Sequence, residues 1–152
     1  MKIRAILTLG VGAGALVAAS ITMPATADAQ EKTVRWKMGS TYPARLTQLG
    51  SLGVSLTKKV DEISGGKFKI LFYEPNALAP PLQYFDAIAK GSIDAAWSTP
   101  GYWYGKEKSL ALFAAVPFGP SSGEYLAWMY YGGGQKLMNE GYNKHGIHSL
   151  VC

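Results

Sequence analysis

Apolar and polar positions along the chain switch between two periods. Over residues 33–40 the period is two: Val34, Trp36 and Met38 alternate with Arg35 and Lys37, the pattern of a half-buried strand. Leu49, Leu52, Leu56, Val60 and Ile63 then recur every three or four residues, which places them on one stripe of a helix. Gly65-Gly66 ends that helix, because glycine takes the left-handed cap without steric cost. Phe68, Ile70 and Phe72 restore period two. After a loop marked by Pro75, Pro80 and Pro81, the positions Leu82, Phe85, Ile88 and Ala89 give a shorter helix closed by Gly91. Residues 93–99 read as a third strand, small and apolar enough to be central. Strands separated by helix-length segments imply right-handed crossovers and a largely parallel sheet, so the fold class is α/β.

The second half is less regular. Residues 102–108 are aromatic and polar without a clear period, and Pro117-Phe118-Gly119-Pro120 is a turn. Ser121-x-x-Glu124 has the form of a capping box and predicts a helix through Tyr131. The run Gly132-Gly133-Gly134 breaks it, a further helix is expected over 135–144, and after Gly146 residues 147–151 begin another strand. No internal repeat or low-complexity tract is visible.

The N-terminus changes the picture of where the chain works. Lys2 and Arg4 precede an apolar run over 5–19, and the segment closes on Ala27-Asp28-Ala29, a small-x-small site that signal peptidase can cut. The run is shorter than the roughly 20 residues of a spanning helix. Residues 1–29 are thus expected to be a cleaved secretory signal, leaving 30–152 as one domain in the periplasm. The net charge of +5 is carried by singly scattered residues rather than blocks, which argues against a nucleic-acid partner. The lone cysteine, Cys152, allows no intrachain disulfide, so a packed core must hold the fold.

Catalytic constellations are missing from the sequence. His145 and His148 flank Gly146 with no carboxylate closer than Glu140, which does not make a metal site. No serine sits in a nucleophile elbow, Asp61 and Glu62 sit on the polar side of the first helix, and Asp86 and Asp94 flank the second, which pairs no acid with a base. The chain does not read as an enzyme. The notable chemistry lies after the strands, at Ser40-Thr41-Tyr42 and at Ser98-Thr99-Pro100-Gly101-Tyr102-Trp103-Tyr104. Parallel α/β sheets bind ligands outside the carboxyl ends of their strands, where hydroxyls and backbone N–H groups converge.

Several segments carry a family resemblance. Gly65-Gly66-Lys67-Phe68 and the stretch from Asp86-Ala87-Ile88 through Gly91 to Ile93-Asp94 resemble the substrate-binding proteins of tripartite ATP-independent periplasmic (TRAP) transporters. Thr99-Pro100-Gly101-Tyr102-Trp103-Tyr104, Ala115-Val116-Pro117-Phe118-Gly119 and Trp128-Met129-Tyr130-Tyr131-Gly132 resemble the branch that takes 2-oxo and related monocarboxylic acids. The resemblance implies a type II periplasmic-binding fold of two α/β lobes, of which residues 30–152 are the first. It implies capture of a small organic acid, delivery to membrane permease subunits, and a homodimer as one assembly. It also implies that the family's Gln and its carboxylate-clamping Arg, with a bound cation in several members, would lie beyond Cys152; no cofactor is expected within this chain. Thr99 and Tyr102 are the expected ligand donors through their hydroxyls and Gly101 through its N–H, with Tyr42 and Phe118 as lining. The competing expectation is a truncated product that binds nothing.

Overall fold

The computed structural model describes residues 32–152; the expected signal over 1–29 lies outside them. Strands β1 (Val34–Ser40), β2 (Phe68–Tyr73) and β3 (Ala95–Trp97) form a parallel sheet in the order β2-β1-β3. Val34 pairs with Phe68 and the register runs to Gly39 with Tyr73, while only Met38, Gly39 and Ser40 meet β3. This explains the burial of β1, in which Val34 through Lys37 are exposed and Met38 through Ser40 are buried. The first half of the strand has one neighbour and the second half has two.

The sheet has two unlike faces. Trp36, Phe68, Phe72 and Trp97 share one, with Trp36 and Phe68 edge-on at 4.9 Å. Helix α1 (Ser51–Ile63) covers it, and Gly53 lets the helix approach, since a Cβ there would lie 3.0 Å from the rings of Phe72 and Trp97. The Trp97 indole N–H donates to the Leu49 carbonyl at 2.6 Å and ties the helix entrance to β3. On the other face a 3₁₀ turn (Pro81–Gln83) leads into α2 (Tyr84–Ala89), and the Tyr84 ring is seated on Gly39. A Cβ on Gly39 would lie 2.7 Å from that ring, and the Tyr84 hydroxyl donates to the Ser40 carbonyl at 3.4 Å.

Tyr84 also opens the main core, which contains Phe85, Ile93, Trp103, Leu110, Met129, Met138, Tyr142 and Ile147. Most of this core comes from the second half of the chain. Helix α3 (Ser122–Tyr131) starts with the expected capping box: the Glu124 N–H donates to Ser121 Oγ, and the Ser121 N–H donates to the Glu124 carboxylate at 2.8 Å. Helix α4 (Gly134–Asn143) follows the glycine break, where Gly133 takes the left-handed conformation at φ 89°.

Three expectations are corrected. The third strand is confined to Ala95–Trp97, because the ladder with β1 ends there and Ile93 is buried in the side-chain core. The aperiodic region holds two further 3₁₀ segments, Pro100–Trp103 and Lys108–Phe113. Residues 147–151 are not a strand of the sheet. Helix α4 satisfies their backbone instead: Asn139 accepts from the Ser149 N–H at 2.7 Å and donates to its carbonyl at 3.0 Å, and Gln135 accepts from the Val151 N–H at 3.1 Å. Ile147 is still buried in the core and Val151 packs against it, which accounts for the apolar residues of the segment.

Two outcomes follow from this packing. Gly39→Ala pushes a methyl into a ring that is itself fully buried, and should lower stability by about 1–3 kcal/mol in denaturant unfolding, the range for overpacking; an unchanged midpoint would show that Tyr84 has room to move. Burial pushes the Tyr142 hydroxyl up to about 12, against the opposing effect of its bond to Trp103. The raised folded value means the neutral phenol's stabilising contribution is intact below the unfolded value near 10 and is lost as pH rises through about 12. Tyr142→Phe should therefore flatten the fall in stability across that alkaline window.

Candidate functional site

At the carboxyl end of the sheet, β1 and β3 are locked together just beyond their last ladder pair. The Thr41 N–H donates to the Trp97 carbonyl at 3.0 Å, and the Thr41 hydroxyl reaches the same carbonyl at 3.1 Å and Ser98 Oγ at 3.3 Å. Buried Ser40 fixes the next turn, its Oγ donating to the Tyr42 carbonyl at 2.7 Å and accepting from the Tyr42 N–H at 3.1 Å. These bonds leave Tyr42 no choice of direction at its backbone. They were not anticipated from the sequence, although Ser-Thr after a strand is a recognisable turn signal.

The consequence is a pair of tyrosines. The rings of Tyr42 and Tyr102 lie 6.4 Å apart at 42°, Tyr42 half-buried and Tyr102 exposed. Burial pushes the Tyr42 hydroxyl up to about 12, and the adjacent Tyr102 hydroxyl, as bonding partner and as a second charge on ionisation, adds to the rise while Thr41 opposes it. The Tyr42 phenol is therefore a neutral donor at ordinary pH. Tyr102 is held in turn by its edge-on contact with buried Trp103 at 6.4 Å and by its N–H bond to the Thr99 carbonyl at 3.3 Å.

Thr99 is extended (φ −115°, ψ 142°) at the start of the 3₁₀ segment, and its hydroxyl does not cap that segment. A half-buried hydroxyl so placed is available to a ligand. Gly101 has a packing role that the sequence did not reveal: a Cβ there would meet the Ala114 methyl at 3.0 Å, so glycine is what lets the 99–102 turn close onto the following loop. The structure thus gathers Tyr42, Thr99, Gly101 and Tyr102 at the ends of β1 and β3.

Phe118 stands apart from this group. It is fully exposed, has φ 57°, and makes no ring contact with Tyr42 or Tyr102. Next to its loop is an apolar groove of 590 Å³ lined by Ala114, Val116, Tyr125 and Trp128 among others. Phe113 stacks on Trp128 at 5.7 Å, and the Tyr125 hydroxyl donates to the Phe113 carbonyl at 2.8 Å, so the groove has a rigid wall. Ala114, which lines the groove, packs on Gly101, while neither Tyr42 nor Tyr102 lines it. Of the histidines, His145 stands edge-on to Phe85 at 5.0 Å, and among the described residues no three His, Cys, Asp or Glu side chains converge to hold a metal ion.

Comparison with known proteins places this architecture. Over 134 residues the chain is 33% identical to a monocarboxylate 2-oxoacid-binding periplasmic protein of Nostoc sp., covering 88% of this chain and 36% of that protein. A TRAP periplasmic solute-binding protein of Pseudoalteromonas atlantica, solved with bound sodium and pyruvate, superposes with a TM-score of 0.72 at 34% identity, over 76% of this chain and 35% of that one. Its counterpart from Colwellia psychrerythraea, solved with calcium and pyruvate, gives a TM-score of 0.74 at 34% identity, over 78% of this chain and 36% of that one. The chain therefore spans about a third of the length of these relatives, and its parallel sheet with flanking helices corresponds to one lobe of their fold. Residues 38–151 match the DctP family, and the chain belongs to it: the bacterial extracellular solute-binding proteins, family 7.

Proposed function

We propose that this lobe forms one wall of a ligand cleft that captures a small organic acid, a 2-oxo acid or related monocarboxylate, in the periplasm for delivery to membrane permease subunits. The observation that carries the reading is the Tyr42–Tyr102 ring pair beside the uncommitted Thr99 hydroxyl at the carboxyl ends of two parallel strands. Such a group offers several O–H donors to a carboxylate or keto oxygen and an aromatic surface that excludes water. The relatives' bound pyruvate supports the ligand class. In this reading residues 30–152 are one lobe of two, residues 1–29 direct export, and Gly101 contributes its N–H beside the two hydroxyls. Phe118 would reach the ligand from the rim of the groove.

The wall has no full countercharge of its own. Arg35 lies in the exposed first half of β1, at the far end of the strand from Tyr42, and Arg45 is on the exposed turn after it. The opposing cation for a carboxylate is assigned to the second lobe, where a guanidinium could bind it through two parallel bonds. Among the described residues no three His, Cys, Asp or Glu side chains converge to hold the metal ions that the relatives carry. A second reading, a lobe that binds nothing by itself, is favoured by the exposure of Leu112, Phe118, Tyr131 and Leu150.

Titration of the chain with pyruvate, followed by the fluorescence of Trp97 and Trp103, separates the two readings. Losing a buried charge-assisted pair costs about 2–5 kcal/mol, so binding by this wall alone should be about millimolar. Tyr42→Phe or Tyr102→Phe should weaken it roughly fivefold each, the worth of one net hydrogen bond. Saturation that is indifferent to both substitutions would remove the tyrosine pair from the site, and the absence of any saturable signal would favour the second reading.

A further inference from the structure

The pole of the lobe opposite the tyrosine pair carries nearly all of its surplus charge. Val34 and Phe68 start their strands side by side, joined by the Val34 N–H bond to the Lys67 carbonyl at 2.8 Å, and the last turn of α1 returns to the same place. Around these strand entries are Lys32, Arg35, Lys37, Lys58, Lys59, Lys67, Lys69 and, leading into β3, Lys90, against only Asp61, Glu62 and Asp94. The rest of the described chain is balanced, five basic side chains against five acidic. Lys59 is paired with Glu62 at 2.8 Å and Lys69 with Asp61 at 3.7 Å, so both acids of α1 are already engaged.

Two details separate this pole from an ordinary solvated face. Arg35 is the register partner of Lys69, so two like charges stand directly opposite on one face of the sheet, an arrangement that is destabilising in itself. Apolar side chains border the charges: Val34 is 49% exposed and Trp36 41%, on the face of β1 opposite Arg35 and Lys37, and Ile63 is 76% exposed at the end of α1. Lys and Arg mixed with Trp and aliphatic residues is the composition that rests in the headgroup region of a bilayer. The strand of seven residues between this pole and Tyr42 is about 23 Å long, so a surface could occupy one end and leave the other open.

We propose that this pole is a docking surface for an anionic membrane, with phospholipid phosphates meeting the basic side chains and Trp36, Val34 and Ile63 entering the headgroup layer. The inference is independent of which solute the opposite end takes. Each Lys or Arg near an anionic surface contributes about 1 kcal/mol, a factor of roughly five, so a handful gives weak, reversible attachment. Such attachment holds the lobe near a membrane with its ligand end turned outward or sideways.

The test is co-sedimentation of the exported chain with vesicles of phosphatidylcholine alone and with about 30 mol% phosphatidylglycerol, at about 0.1 M and about 1 M salt, where the screening length falls from roughly 10 to 3 Å. The proposal expects binding to the anionic vesicles only, lost at high salt. Lys32→Gln, Arg35→Gln and Lys58→Gln together should weaken it roughly 100-fold. Lys108→Gln, Lys136→Gln and Lys144→Gln together remove as much charge elsewhere and should leave it nearly intact. The variants share one N-terminus, so any contribution from it cancels in the comparison. Equal binding to neutral vesicles, equal loss in both variants, no vesicle binding, or binding only to a soluble acidic polymer such as polyglutamate would each overturn the assignment.

Discussion

The seat of Tyr84 on Gly39 holds the two halves of this lobe together. Gly39 sits in the central strand, where both neighbours are hydrogen-bonded, and the absence of its side chain lets an aromatic ring lie directly on the sheet backbone. That ring is fully buried, and Phe85 beside it joins Trp103, Tyr142 and His145 through ring contacts. The sheet is otherwise small, so its position relative to α3 and α4 depends on what α2 can reach. Trp103 extends this chain of contacts to Tyr102, and the turn that carries Tyr102 thereby inherits its position from the glycine in β1.

Much of the fold was legible because its elements carry the period of their type. Val34, Trp36 and Met38 marked β1 and the leucine stripe marked α1, although of these Val34, Trp36, Leu49, Leu52 and Ile63 stay exposed. Ser121 and Glu124 gave the start of α3 because a capping box is a local device. The misread segments are those where burial and pairing part company. Residues 93–99 and 147–151 are apolar enough for strands, yet Ile93, Ile147 and Val151 are buried by side-chain packing while their backbones lie outside the ladder. The 3₁₀ segments escaped notice because a turn of three to six residues is too short to show a period.

The site was legible by place more than by geometry. Hydroxyls after strands of a parallel sheet marked Tyr42, Thr99 and Tyr102, but their meeting depends on the pairing of residues far apart in sequence, through the Thr41–Trp97 bonds. Gly101 was marked for its N–H, and the structure adds the contact with Ala114, which no single-sequence pattern encodes. Phe118 was grouped with the site from its motif, and its complete exposure with a left-handed backbone is a property of the loop's path. The charge on the strand entries was visible in composition only as a mild excess; the parallel register gathers it at one end.

The clamp of Gln135 and Asn139 on residues 149–151 bears on the order in which the chain can assemble. Those bonds join positions 10 to 16 residues apart, whereas the bonds from Lys37 and Thr41 to the β3 region span 55 to 57. Chain entropy grows with the logarithm of loop length, so closing the shorter loops costs about 1–1.5 kcal/mol less. The segment that might have waited for a strand partner can instead become ordered on the helix just before it. Loop entropy thus favours closing the C-terminal contacts first, while the sheet, and the tyrosine pair that depends on it, needs contacts between distant parts of the chain.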